Sequence, residues 1–373
     1  MSSFVIKGWC PGALKPMMSG DGLVVRIRPR MAHLTAAQAQ GIAAAALTHG
    51  NGQIDLTARA NVQLRGIRPA AHLALLDDLA ALDLLDADEA QERHRNLTIS
   101  PFWTGEMWEA LADAVTTILS SGEFSNLPGK FGVTLDLARP MVLQDTASDI
   151  RVEWHPNGWL IRPDGFASGA VVHRVDQATT ALRRLLAWFL DHGVTEGRGR
   201  MAALAGQQLP QGFDQPMTQA AHDPAPGPHP LGYLVGLEFG QIRAETLAPL
   251  ANFPLRVTPW RMILIEGTHS APNLTGLITA PDDPRLRVTA CTGAPGCPQG
   301  LQPTRDLARR LAPQVPPGQH LHISGCAKGC AHPAAADVTL CATPQGFDLI
   351  RQGRASDPAL GPFNPSTPLF KAI

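Results

Sequence analysis

Lysine is scarce in this chain. Only Lys7, Lys15, Lys130, Lys328 and Lys371 occur among 31 basic residues, so arginine carries nearly all the positive charge. An excess of either sign is missing too. The 31 basic and 32 acidic residues give a formal net charge of −1, which leaves no basic footprint for nucleic acid or an anionic membrane surface. No apolar run approaches a membrane span, and the opening Met1-Ser-Ser-Phe-Val-Ile-Lys-Gly-Trp9 lacks the basic-then-apolar order of a secretory signal. The expectation is therefore a cytoplasmic protein with neither nucleic acid nor membrane as partner. No G-x-G-x-x-G follows a strand-like run, so a dinucleotide fingerprint is absent. Cysteine is limited to six residues, four of them clustered, which fits a metal site in a reducing compartment better than a disulfide framework. Cys10 and Cys341 are left over and read as ordinary thiols.

The clustered four organise the chain. Cys291-Thr-Gly-Ala-Pro-Gly-Cys297 and Cys326-Ala-Lys-Gly-Cys330 are Gly/Pro-rich loops. Between them, 303–312 has helical periodicity behind a Thr304 N-cap, and 320–324 alternates like a strand. A helix out and a strand back return the chain to its start, so all four thiolates can converge. The occupants open to such a set are an iron–sulfur cluster and a zinc ion, and thiols that merely fill a core are the third reading. Zinc pairs usually stand two to four residues apart. Five residues separate Cys291 from Cys297, a spread that suits the wider cube.

The remainder contains a repeat. A strand at 21–28, a helix from the capping box Thr35-Ala-Ala-Gln38 to about 47, strands at 53–58 and 62–68 and a helix at 70–82 make a ferredoxin-like half-domain. The same order returns as a strand at 233–238, a helix at 244–251 and a hairpin at 255–266, with 258–267 matching 57–66 in length. Helices are predicted at 105–120 and 175–192, with strands at 131–137, 151–155 and 159–162. The resulting division is 1–83, a first ferredoxin-like half-domain; 84–205, an α/β unit; 206–230, a Pro- and Gly-rich linker; 231–285, a second half-domain; and 286–373, the cysteine domain.

A C-x5-C pair followed by C-x3-C resembles the cluster signature of the sulfite and nitrite reductase superfamily, whose cubane lies against a tetrapyrrole. Within it, Ser324-Gly-Cys-Ala-Lys-Gly-Cys-Ala331 is most similar to the precorrin-3B synthase family. The resemblance implies an α+β fold of two pseudo-symmetric repeats, each a ferredoxin-like half-domain plus a larger α/β unit. It implies a [4Fe–4S] cluster on Cys291, Cys297, Cys326 and Cys330, a mononuclear non-haem iron, and an O2- and NADH-dependent monooxygenation of precorrin-3A. Without a dinucleotide fingerprint, NADH would act through a separate electron-donor reductase.

Three positions match the family's anion-binding residues. They are Arg59 in Leu-Thr-Ala-Arg, Arg95 in Arg95-Asn-Leu-Thr-Ile-Ser-Pro101, and Lys130 in Leu127-Pro-Gly-Lys-Phe-Gly132. Each would hold substrate carboxylates; the arginine bias suits that task, although a GC-rich genome is its simpler cause. Where the reductases read Leu-Pro-Arg-Lys-Phe-Lys, this chain has Gly129 and Gly132, which weakens a cage built for sulfite or nitrite. Trp260 reads equally as a macrocycle-facing or a core residue, and His94, His320, His322 and His332 show no specific ligand spacing. Two rival readings remain: a siroheme-dependent sulfite or nitrite reductase, and a non-catalytic tetrapyrrole or electron-transfer module.

Overall fold

The computed structural model describes residues 11–218, 222–366 and 368–370; Cys10 lies outside them. The first repeat begins with the hairpin β1 (Met17–Ser19) and β2 (Gly22–Ile27), followed by β3 (His33–Leu34) and α1 (Ala36–His49). Helix α1 starts where the sequence places it. The Thr35 hydroxyl accepts from the Gln38 N–H and the Gln38 side chain accepts from the Thr35 N–H, satisfying two donors that helix geometry leaves unpaired. Then come β4 (Gln53–Leu56), β5 (Val62–Ile67) and α2 (His72–Ala81).

The first α/β unit runs through α3 (Glu89–His94), β6 (Leu97–Ile99), α4 (Glu106–Ser120), β7 (Val133–Asp136), β8 (Ile150–His155), β9 (Gly158–Pro163), β10 (Ser168–Val172) and α5 (Val175–Gly193). The stretch 206–230 adds two short strands, β11 (Gln215–Pro216) on β10 and β12 (Gly227–His229) on the next strand.

The second repeat comprises β13 (Gly232–Leu237), β14 (Gln241–Arg243), α6 (Ala244–Leu250), β15 (Leu255–Val257), β16 (Met262–Glu266) and β17 (Leu277–Ile278). The cysteine unit comprises β18 (Val288–Ala290), α7 (Arg305–Leu311), β19 (Leu321–Ser324), β20 (Ala336–Thr343), β21 (Gly346–Gly353) and β22 (Gly361–Pro362).

The repeats exchange a strand. The first sheet has the order β1-β2-β5-β4-β14 and the second β12-β13-β16-β15-β3, so each short strand completes the sheet of the other repeat. Leu34 opposes Leu255 and Ile242 opposes Ile54. One hydrophobic core consequently spans both repeats, with Ile27, Ile42, Leu64, Val235, Leu247 and Ile265 in it. The two α/β units are likewise alike. In each, three parallel strands (β6-β7-β8 and β18-β19-β20) continue into antiparallel ones. Each has its own core, around Leu111, Leu135 and Phe189 in the first and Leu311, Leu321 and Leu340 in the second. Among the described residues no helix is long and apolar enough to cross a membrane.

Candidate functional site

The cysteines occupy the loops that leave the C-terminal ends of β18 and β19. Those strands are parallel neighbours, with Ala290 opposite Ile323, so the two loops emerge side by side. That is where open α/β sheets place their ligand sites. Backbone contacts lock the loops together. Leu301 N donates to Gly325 O at 2.8 Å, and Gly325 N donates to the Cys291 sulfur at 3.1 Å. A Cβ on Gly325 would stand 3.3 Å from that sulfur and 3.1 Å from the Gly293 Cα, so any side chain there would push the two loops apart by a few tenths of an ångström. Thr304 stands before α7, but its hydroxyl does not cap the helix. It donates instead to the Cys291 carbonyl at 2.6 Å, tying the first cysteine to the helix start.

The first repeat supports the outer side of the Cys291 loop. Ser19 Oγ donates to Gly296 O at 2.7 Å, and Arg65 donates to the same carbonyl at 2.9 Å while pairing with Asp21 at 2.9 Å. Gly20 sits so close that a Cβ would collide with the Pro295 carbonyl. Asp55 lies 3.7 Å from Arg65 and 3.6 Å from Arg305, and burial raises its carboxyl above the usual range despite both cations. Arg261, from the second repeat, donates to the Ala331 carbonyl at 2.9 Å, one residue beyond Cys330.

The electrostatics follow from this crowding. Cys330 is exposed at its outer edge, yet the loops crowded around its sulfur strip away enough water to raise the thiol to about 11, helped by the negative charge that Cys291, Cys297 and Cys326 would carry as thiolates. Cys291 is pushed up by burial, and by Cys297 and Cys326. Arg261 and Arg305 are lowered, first by burial and next by mutual repulsion in the case of Arg261. Both are within electrostatic reach of Cys291. Two thiols that resist ionising, Cys291 and Cys330, beside guanidinium groups withdrawn from water, suit a group that brings its own positive iron. Among the described residues no three His, Cys, Asp or Glu side chains are drawn tightly enough to hold one metal ion. Cys341 lies on β20 opposite Ser324 and is buried with Ile350 and Ala355.

Of the three residues matched to anion binding, two meet. Arg59 donates to the Lys130 carbonyl at 2.7 Å, joining the β4–β5 turn to the 127–132 loop. Arg95 is engaged elsewhere: it forms a two-pronged ion pair with Asp86, at 2.7 and 3.1 Å, and donates to the Arg28 carbonyl. The glycines at 129 and 132 also acquire a role. A Cβ on Gly129 would stand 3.0 Å from Arg93 Nε, and one on Gly132 would stand 3.5 Å from an Arg59 nitrogen. Arginines from neighbouring segments therefore occupy the space next to the two missing side chains.

Trp260 packs with Leu234, Met262 and Leu264, its ring 6.3 Å from Phe102. His320 bonds the Thr289 hydroxyl at 2.9 Å, and His332 lies 4.5 Å from His320 and 5.5 Å from His322 between ring centres. His322 is fully buried with neither ring nitrogen partnered. Sequence reasoning missed Arg65, Arg261 and Arg305. A signal existed for Arg261, since it follows Trp260 at the hairpin position where the first repeat has Ala60, and both adopt positive φ, 62° and 54°.

Residues 15–82 match the nitrite/sulfite reductase ferredoxin-like half domain. The chain is 29% identical to a precorrin-3B synthase of Sinorhizobium, over 94% of this chain and 84% of that protein. It is 24% identical to a ferredoxin–nitrite reductase of Synechococcus elongatus, over 77% of this chain and 69% of that protein. The solved structure of the NirA protein of Mycobacterium tuberculosis superposes with a TM-score of 0.61 at 17% identity, covering 89% of this chain and 74% of that one. The fold is the α+β, nitrite/sulfite reductase-like one that the motifs imply, and the likeness to precorrin-3B synthase extends over nearly the whole chain.

Proposed function

We propose that the chain is an oxidoreductase of the precorrin-3B synthase type. It would hydroxylate precorrin-3A at C20, with an acetate side chain closing a γ-lactone. One oxygen atom of O2 enters the substrate and the other leaves as water, which consumes two electrons and two protons. NADH supplies the electrons through a separate reductase. A [4Fe–4S] cluster on Cys291, Cys297, Cys326 and Cys330, when bound, supplies them singly. The observation that carries this reading is the pair of cysteine loops side by side at adjacent strand ends, in a chain similar along 94% of its length to a precorrin-3B synthase.

The residues' tasks follow from their contacts. The Gly325 N–H and the arginines Arg261 and Arg305 stabilise negative charge at the thiolates, which raises the potential at which an electron is accepted. Arg59 and Lys130 form a basic edge for the substrate's carboxylates, with Arg93 beside them. Arg95 acts with them only by giving up Asp86, so its first role is to hold the 84–95 segment in place.

One observation favours a second reading, a siroheme-dependent nitrite or sulfite reductase. Arg93 adds a cationic side chain next to Gly129, so the anion cage is less depleted than the sequence suggests. Anaerobic purification followed by visible absorption, EPR and pigment extraction separates the two. A cluster signal without extractable haem, and precorrin-3A gaining one oxygen atom in air with a competent donor, is the expected result. A siroheme band coupled to the cluster would replace it with the reductase, and a cluster with no turnover would leave an electron-transfer module.

A further inference from the structure

The duplicated fold has two pairs of loops at parallel strand ends, and only one pair carries cysteine. In the first α/β unit the corresponding loops, 100–105 after β6 and 137–149 after β7, border a cavity of about 650 Å³. The hairpin over it is β12–β13, the counterpart of the β1–β2 hairpin that covers the Cys291 loop. Register makes the correspondence specific: Ser19 opposes Gly22 and His229 opposes Gly232. Ser19 bonds the cysteine loop through Gly296. His229 stacks instead on Phe102 of the 100–105 loop, 4.2 Å between ring centres and 19° from parallel.

The lining is chemically one-sided. Phe102, Trp108, Leu137 and Leu234 present apolar and aromatic surface, and Arg139 and two histidines are the basic groups. Among the described residues no aspartate or glutamate lines the cavity. Arg139 forms no ion pair among the described residues, and its guanidinium lies 4.0 Å over the Trp154 ring. His229 Nδ1 accepts from the Leu231 N–H at 3.2 Å, which leaves its proton on Nε2 as a donor. The volume is within the range of small-molecule sites, which combine apolar walls with a few polar groups.

We propose that this cavity is a second ligand site, separate from the cysteine loops, for a flat aromatic molecule bearing one anionic group. Its rings lie along the Phe102–His229 stack, and its carboxylate or sulfonate is met by Arg139. The test uses the iron-loaded full chain and the fluorescent anion 8-anilinonaphthalene-1-sulfonate, with neutral N-phenyl-1-naphthylamine as control. One saturable site for the anion is expected. Arg139→Glu should weaken it at least tenfold while changing the neutral dye less than twofold, because position 139 is exposed and the apolar walls are untouched. Ala225→Trp, and independently Ala138→Trp, fill the cavity and should abolish binding of both dyes with the iron content unchanged. Affinity of the anion within twofold of wild type in Arg139→Glu, or undiminished dye binding in both tryptophan variants, would overturn the assignment.

Discussion

The two repeats make the same contact from opposite strands. In the first, Arg65 on β5 reaches the cysteine loop through the Gly296 carbonyl, with Asp55 on β4 beside it. In the second, the charges are exchanged: the counterpart of Asp55 is Arg256 on β15, and the counterpart of Arg65 is Glu266 on β16. Arg256 pairs with Glu266, donates to the Pro101 and Trp103 carbonyls at 2.8 and 2.6 Å, and lies over the Trp103 ring. Each repeat thus clamps the first loop of an α/β unit with one buried arginine. Duplication fixed the scaffold and the requirement for a clamp, but left the arginine's strand and the loop's cargo free to diverge. One loop pair received cysteines, and the other borders an aromatic cavity.

The comparison breaks most completely at the cysteines. Cys326→Ser should remove cluster iron, acid-labile sulfide and turnover together, whereas Phe102→Leu in the first unit should leave iron content intact; a Cys326→Ser protein with full EPR signal would overturn the ligand set. The clamps come next. Arg256→Ala leaves the half-buried Glu266 with His33 alone and two carbonyls without their donor, and should cost about 3 kcal/mol in urea unfolding. Arg65→Ala should cost a similar amount and, unlike Arg256→Ala, should hasten iron release to a chelator, because only its loop holds cysteines. Equal release rates in the two variants would show that the clamps are interchangeable.

Smaller effects sharpen the picture. Arg59→Ala should weaken tetrapyrrole binding roughly tenfold, the value of a charge-assisted contact, and titration of the substrate would show it. Thr304→Val removes the bond to the Cys291 carbonyl and should cost about 1 kcal/mol. A different kind of effect is expected in pH dependence. Burial first, and the neighbouring His332 second, hold His322 at about 3 and His320 at about 4, against about 6.5 in an unfolded chain. Between those values the unfolded chain binds more protons, so their contribution is fully present above about pH 6.5 and is lost as pH falls towards 4. His322→Leu should flatten that decline, and a Tm profile of unchanged slope would exclude His322 as a source.

Much of this was legible along the chain. The Thr35–Gln38 capping box, the alternation at 53–56 and 62–67 and the spacing of the four cysteines are local patterns, and local patterns survive without knowledge of the fold. Thr304 shows where such reasoning stops. Its position before a helix is a local fact, but its partner is a carbonyl thirteen residues earlier that only the returning chain brings within reach. Gly129 shows the same limit, since its missing side chain reads as lost charge until Arg93 is seen beside it.

By itself, then, the sequence determined that four cysteines lie in two Gly/Pro-rich loops, that two half-domains repeat, and where most helices and strands lie. Each rests on residue type and short-range spacing. Only the tertiary structure decided that the repeats exchange strands, that Arg65, Arg261 and Arg305 gather around the thiols, that Arg95 is held by Asp86, and that the first unit contains a cavity where the second has cysteines. Those arrangements depend on contacts between distant segments, and a buried charge finds its partner in space and not along the chain.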